Sequence, residues 1–373
     1  MEHNRYVCPC LLGLEGLVAD ELRAMEAQEV EAQNGRVFFS GDASLLARAN
    51  IGSRYAARVL VLLGQFPARS FEELFEGTRV LPWENWIGKQ DAFPVKGRSL
   101  NSQLTSLPDC QSIIKKAVVE RLKSRYQLPW FEETGSVHQI QFLMMKDQAA
   151  LMLDTSGPGL HKRGYRANAA EAPIKETLAA AMAHLSHVRG DSFVIDPCCG
   201  SGTLLIESAL YALRIAPGLR RRFAAEKWDA LDKTVWQRER ERAQDLIRTD
   251  RSFSALGCDI DAAALELTLE NARKAGVPQR IRVEKRGMDS FRADAERGTV
   301  ICNPPYGERL LDLRQAEELY KTMGKVFEQK AGWSYTVISP DDTFEACFGR
   351  KADKRRKLYN GMIKCQLYFY FKA

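Results

Sequence analysis

No run of about eighteen apolar residues occurs in this 373-residue chain, and no charged start leads into an apolar core and cleavage site. Neither a membrane-spanning helix nor a secretory leader is expected, and the cytoplasm is the expected compartment. Cysteines number nine, an odd count without paired Cys-x-x-Cys spacing, which supports neither a disulfide framework nor a zinc site. Cys8, Cys10 and the Cys198-Cys199 pair read as small packing residues. Internal repeats and low-complexity tracts are also missing. The residues of a dinucleotide fingerprint are incomplete: Leu205 stands where a third small residue is needed, and no acid follows the first glycines at the required distance.

What is present is a globular composition, 45% hydrophobic and 27% charged, long enough for two or three domains. The net charge of +6 is uneven, with about −4 on residues 1–50, +2 on 51–155 and +8 on 156–373. Six cations lie between Arg350 and Lys357, and a smaller run spans Arg220 to Arg222, so a polyanionic partner is plausible.

Residues 3–62 read β-α-β-β-α-β, with a hairpin turning at Asn34-Gly35, which makes a ferredoxin-like unit. A strand at Arg58 to Gly64 leads into a second mixed section carrying Trp83, Trp86 and a strand at Ala92 to Lys96. Pro108-Asp109 is expected to cap a helix with Ile113, Ile114, Ala117, Val118 and Leu122 inward and basic residues outward. A hairpin across Lys146-Asp147 follows. The basic connector His161 to Arg166 marks a boundary, after which a helix from Pro173 opens an alternation of strands and helices. Asn360-Gly361 predicts a closing antiparallel hairpin.

Phe193 to Thr203 reads as a strand, a Gly-rich turn and a helix start, the place where nucleotide-like ligands meet open α/β sheets. Asp196 beside that turn would repel a pyrophosphate but could orient an ammonium, directly or through water. S-adenosylmethionine is such a ligand. Gly200 and Gly202 would border its amino-acid part, Asp259, 63 positions after Asp196, would accept from the ribose hydroxyls, and Asp289 would meet the adenine amine with Met288 against the ring. A second constellation, Val300 to Gly307, is a strand running into Asn-Pro-Pro-Tyr. Prolines fix φ and donate nothing, so the loop is stiff. An exocyclic base amine is a poor nucleophile, because its lone pair is delocalised. Acceptors on its N–H groups, Asn303 and the Pro304 carbonyl, would pull it towards tetrahedral geometry, while Pro305 stiffens the loop and Tyr306 stacks on an extruded base.

These motifs, together with Leu160 to Arg166 and Ala172 to Glu176, give the chain a resemblance to class I S-adenosylmethionine-dependent methyltransferases with a THUMP domain, most closely the bacterial large-subunit rRNA guanine-N2 enzymes. The resemblance implies an α/β fold: a Rossmann-like, seven-stranded catalytic domain at 161–373, preceded by an α+β ferredoxin-like subdomain at 1–60 and a THUMP RNA-binding domain at 61–160. It implies S-adenosyl-L-methionine as cofactor, contacted by Asp196, Cys198, Gly200, Gly202, Asp259, Ile260, Met288, Asp289 and Asn303. The target amine would meet Asn303, Pro304, Pro305 and Tyr306, with Lys175 and Glu176 near the cofactor. RNA contacts are expected from Lys96, Arg98, Lys115, Lys116, Arg163, Arg166, Arg355 and Arg356, with neither metal nor membrane as partner. Some relatives carry a second methyltransferase domain, whereas this chain ends at Ala373, so one activity is expected. The substrate is expected to be 23S rRNA, with tRNA guanine as the first alternative. Adenine-N6 methylation, a non-catalytic assembly factor and an NAD-dependent oxidoreductase are the remaining competitors.

Overall fold

The computed structural model describes residues 3–166, 174–305 and 313–371. Two compact units form. The first contains 1–9, 18–160 and 222–241, and the second contains 10–17, 161–221 and 242–373.

The elements of the N-terminal part are β1 (Asn4–Pro9), α1 (Glu15–Ala24), β2 (Gln28–Gln33), β3 (Arg36–Gly41), α2 (Ala43–Gly52), β4 (Leu60–Pro67), α3 (Phe71–Arg79), β5 (Val95–Leu100), α4 (Leu107–Tyr126), β6 (Ile140–Met145) and β7 (Gln148–Asp154). Their strands form a single seven-stranded sheet in the order β2-β3-β1-β4-β7-β6-β5. The pairings are antiparallel except β5 with β6. Three details depart from the sequence reading. The strand expected at Ala92 to Lys96 lies later, at β5, because Pro94 has no N–H for a ladder and Ala92 makes only an isolated bridge to Val137. Helix α4 is capped at Ser106 instead of Pro108-Asp109, which occupy its first turn. Helix α3 is additional; Ser70 caps it by accepting from the Glu73 N–H.

The C-terminal part continues with α5 (Glu176–Leu185), β8 (Phe193–Asp196), α6 (Thr203–Ala212), α7 (Thr234–Asp245), β9 (Ser254–Asp259), α8 (Ala262–Ala275), β10 (Ile281–Lys285), β11 (Gly298–Cys302), α9 (Leu313–Val326), β12 (Trp333–Ser339), α10 (Phe344–Phe348), β13 (Lys354–Asn360) and β14 (Ile363–Tyr370). The sheet runs β10-β9-β8-β11-β12-β14-β13, parallel through β12 and antiparallel in the last two strands. Pleating divides its side chains between two faces. Ile195, Val300 and Cys302 join α9 and α10 in one apolar cluster with Phe327, Phe344 and Tyr368. Helices α5 and α6 pack on each other, and α6 and α8 on the strands β8, β9 and β10. The expected terminal hairpin is β13–β14, turning at Gly361 with φ +65°. Pro173, the expected first-turn proline of α5, lies outside the described residues. No helix among the described residues is long and apolar enough to cross a membrane.

The stretch 222–241, inserted between α6 and β9, packs within the first unit. Trp228 is fully buried there, stacked on His138 at 4.3 Å and donating its indole N–H to the Val137 carbonyl at 3.1 Å. Glu239 of α7 takes a two-pronged hydrogen bond from Arg48 at 2.8 and 3.0 Å.

Candidate active site

Strands β9, β8 and β11 are neighbours, and their carboxyl ends carry Asp259, Asp196 and Asn303. The short strand β8 delivers the chain into a turn with two left-handed positions that favour glycine. Gly200 has φ +51° and open space where a Cβ would stand; Gly202 has φ +76° and would bring a Cβ within 2.7 Å of Thr268 Cγ2. Polar groups fix the rest of the turn. Asp259 accepts from the Gly200 N–H at 2.9 Å and the Asp261 N–H at 3.0 Å, Thr268 donates to the Gly200 carbonyl at 2.8 Å, and Asn271 donates to the Ser201 carbonyl at 2.9 Å. Asp261 is the N-cap of α8, accepting from the Ala263 N–H. Leu205, which breaks the dinucleotide pattern, is buried, and a Cβ on Gly257 would collide with it at 2.7 Å.

Asp196 is 1% exposed and accepts only from the Cys198 N–H at 3.1 Å among the contacts described. Burial, with the nearby Asp259 charge as a smaller contribution, pushes its carboxyl up to about 8. Asp259 is half-buried, and Ile260 beside it is 73% exposed, an apolar plate at the strand ends. Asp289 is exposed on the short turn 288–290. Met288 is buried in the cluster with Val300 and Phe291, whereas Ile260 is exposed.

Asn303 follows β11 directly. Its Oδ1 is buried and has no hydrogen-bond partner among the described residues. Leaving such an acceptor unmatched costs about 1–3 kcal/mol, so it reads as a group waiting for a donor. Pro304 is buried and Pro305 half-buried, while Tyr306 lies outside the described residues. Gly200 offers open space and the orphan carboxamide offers an acceptor. The carboxylates Asp196, Asp259 and Asp289 at these strand ends suit a nucleoside bearing an amino-acid group.

The cations divide differently from the sequence reading. Arg163 is buried beside Glu207 at 3.6 Å, and Arg166 is held by Glu176 at 3.3 Å and by the Ile174 carbonyl and Thr203 hydroxyl. Both guanidinium groups thus tie the connector to acidic side chains of α5 and α6. Glu176 is 3% exposed with its Oε2 unpartnered, and burial raises its pKa against the lowering effect of Arg166. Tyr165 donates to Glu207 at 2.9 Å in the same buried network, which a connector rich in charge gives no means of foreseeing. Lys115 donates to Glu133 at 2.5 Å and to the Phe93 carbonyl, and burial lowers its pKa, so it too is largely engaged. Lys96 and Arg98 are exposed on edge strand β5, and Lys116 on α4. Arg355 pairs with Glu345 at 3.2 Å, and Arg356 donates to the Gly13 carbonyl at 2.7 Å. The nine cysteines are unbridged, and no group able to hold a metal occurs among the described residues.

Comparison with known proteins gives the site its setting. Residues 163–368 match the RMKL-like methyltransferase domain, 68–154 the THUMP domain and 5–60 the RlmL ferredoxin-like domain. The Bacillus subtilis protein YpsC, named as a candidate RNA methyltransferase, is 42% identical over 100% of this chain and 97% of its own. A ribosomal RNA large subunit methyltransferase K/L of Psychromonas ingrahamii is 34% identical over 97% of this chain, which spans 49% of that protein's length. Among solved structures, SMU.472, a candidate methyltransferase complexed with SAH, superposes with TM-score 0.95 at 40% identity, covering 100% and 99% of the two chains. A Listeria monocytogenes protein described as a predicted N6-adenine-specific DNA methylase superposes with TM-score 0.94 at 42% identity, covering 100% and 97%. With a family domain matched over more than half its length and a near full-length relative, the chain belongs to the RMKL-like methyltransferase family, with ferredoxin-like and THUMP domains ahead of the catalytic domain.

Proposed function

We infer that this chain is an S-adenosyl-L-methionine-dependent RNA methyltransferase acting on the exocyclic N2 amine of a guanosine in large-subunit rRNA. The observation that carries this reading is the buried, unpartnered Oδ1 of Asn303 at the mouth of the Asn-Pro-Pro loop. The cofactor is supported by the methyltransferase family and by a 40% identical structure complexed with SAH. When bound, it supplies an electrophilic methyl carbon on a sulfonium. Gly200, Gly202, Asp259 and Ile260 would hold it, with Asp196 beside its ammonium.

The chain's own contribution is positioning. Asn303 Oδ1 accepts one hydrogen bond from the amine and the Pro304 carbonyl accepts the other, which withdraws the nitrogen lone pair from the ring and aims it. Stiff acceptors already in place need no reorganisation at the moment of transfer. RNA as substrate is supported by the THUMP match, and rRNA by the names of the K/L relatives. The cytoplasm follows as the compartment of that substrate.

The test is transfer of labelled methyl from S-adenosylmethionine into total nucleic acid of a strain lacking this gene, followed by nucleoside analysis. Label in N2-methylguanosine of the large rRNA is expected. Label in tRNA would keep the mechanism and move the substrate. Label in N6-methyladenosine, the chemistry in the description of the Listeria protein, would overturn the base assignment.

A further inference from the structure

Strand β13 is an edge strand that overshoots its sheet. Cys302 of β11 is level with Val337 of β12, Val337 with Tyr368 of β14, and Tyr368 with Arg355 of β13. Arg355 is therefore level with the end of β11. Because β13 and β11 run in the same direction, the turn after Asn360 lies on the same sheet edge as Asn303. Strand β12 stops at Ser339, whereas β13 continues to Asn360, about 16 Å past the level of Cys302 at ~3.3 Å per residue. The hairpin forms an arm three strand positions from β11, about 14 Å across.

One face of this arm is closed. Leu358 and Cys365 are buried, and a Cβ on Gly13, where φ is +91°, would meet the Lys357 carbonyl at 2.8 Å. Arg356 fastens the same contact by its bond to the Gly13 carbonyl. The opposite face is open and alternates Lys357 with Tyr359, opposite Lys364. Lys357 Nζ stands 5.5 Å from the Tyr359 ring centre, and at the turn Met362 is 96% and Ile363 49% exposed. From Lys354 to Tyr370 there are five cations and no carboxylate. Arg355 is paired with Glu345, which leaves Lys357 and Lys364 as the exposed cations of the open face.

We propose that this arm is a second nucleic-acid contact, gripping the RNA strand next to the target nucleotide, with Lys357 and Lys364 on phosphates and Tyr359 and Met362 against exposed bases. The charge selects a polyanion, and an aromatic ring interleaved with cations is the pairing that single-stranded RNA needs for backbone and base together. The exposed methionine at the tip has the shape of a wedge between bases. This rests on the reading of RNA as substrate.

The experiment compares the full chain with a Lys357→Ala/Met362→Ala/Lys364→Ala variant, binding large-subunit rRNA transcribed in vitro across a salt series. Affinity is expected to fall about tenfold or more, and the slope of log affinity against log salt to become shallower by roughly 1.4, about 0.7 for each single-strand phosphate that the missing ammonium groups no longer neutralise. Binding of SAH and the melting temperature should stay at wild-type values, which separates a weakened grip on RNA from a damaged fold. An unchanged affinity and slope, in a wild-type protein that binds and methylates RNA, overturns the arm alone. Capture of a protein in place of RNA overturns it also. If the wild type neither binds nor methylates RNA, the substrate reading fails first and the arm falls with it.

Discussion

At the residue scale the site is built from groups whose needs are unmet until a ligand arrives. Asn303→Ala removes the orphan acceptor, so turnover is expected to fall about 10²-fold or more, the scale of losing one preorganised polar group, with SAH affinity unchanged by calorimetry. Turnover at the wild-type rate would strip Asn303 of its role. Gly202→Ala places a methyl group within 2.7 Å of Thr268 at a φ of +76°, and about 1–3 kcal/mol of stability should go, read by urea unfolding. Asp196 gives a pH signature. Its folded carboxyl is raised to about 8 by burial, so folding retains a proton that the unfolded chain releases in the ordinary carboxylate range. That contribution is complete at acid pH below the unfolded value and is lost as pH rises through about 8. Asp196→Asn should therefore flatten the decline in stability between about pH 5 and 8, and a variant as steep as the wild type would place the titration elsewhere.

At the scale of elements, the inserted segment 222–241 is held by one large anchor. Trp228→Ala deletes a fully buried indole, its hydrogen bond to Val137 and its stack on His138, which should cost about 3–5 kcal/mol in the unit where it is buried. A differential scanning trace unchanged by the substitution would mean that the segment is not docked through Trp228. This element also marks the boundary of what the sequence discloses. Strands β8, β9 and β11 can be read directly, because each is a short apolar run that ends in or runs straight into a polar residue, with glycine, a capping Asp or proline close behind. Hairpin β13–β14 is equally plain from Asn360-Gly361. Burial partners far along the chain leave no such mark. Arg163 and Arg166 carry the same sequence signature as Lys96 and Arg98, yet the first pair faces buried glutamates and the second faces solvent. Met288 and Ile260 are likewise two apolar residues near the cofactor motif, and only the packing of β11 and the turn after β10 tells which is core. The unsatisfied Oδ1 of Asn303 is a property of the surroundings and cannot be read from Asn-Pro-Pro itself.

At the scale of the whole molecule, the chain crosses between its two compact units at residues 9–10, 17–18, 160–161, 221–222 and 241–242. Cutting after residue 160 therefore does not release a self-sufficient catalytic half. A fragment of residues 161–373 would retain Trp228, Trp236, Val235 and Phe223, all buried in the intact chain, while losing His138 and Arg48, which hold Trp228 and Glu239. The Phe223–Trp236 stack, with ring centres 5.4 Å apart, would then present its outer surface to water. Exposed aromatic area of that kind drives association, so the fragment is expected to bind a hydrophobic dye and to aggregate at concentrations where the full chain does not. Replacing 222–241 in the same fragment by a short Gly/Ser linker removes the surface, and a soluble fragment with SAH affinity near that of the full chain is expected. Calorimetry and sedimentation of the two fragments decide the matter. If the unaltered fragment is monomeric and melts cooperatively, the insertion folds onto the catalytic half and its assignment to the first unit is wrong.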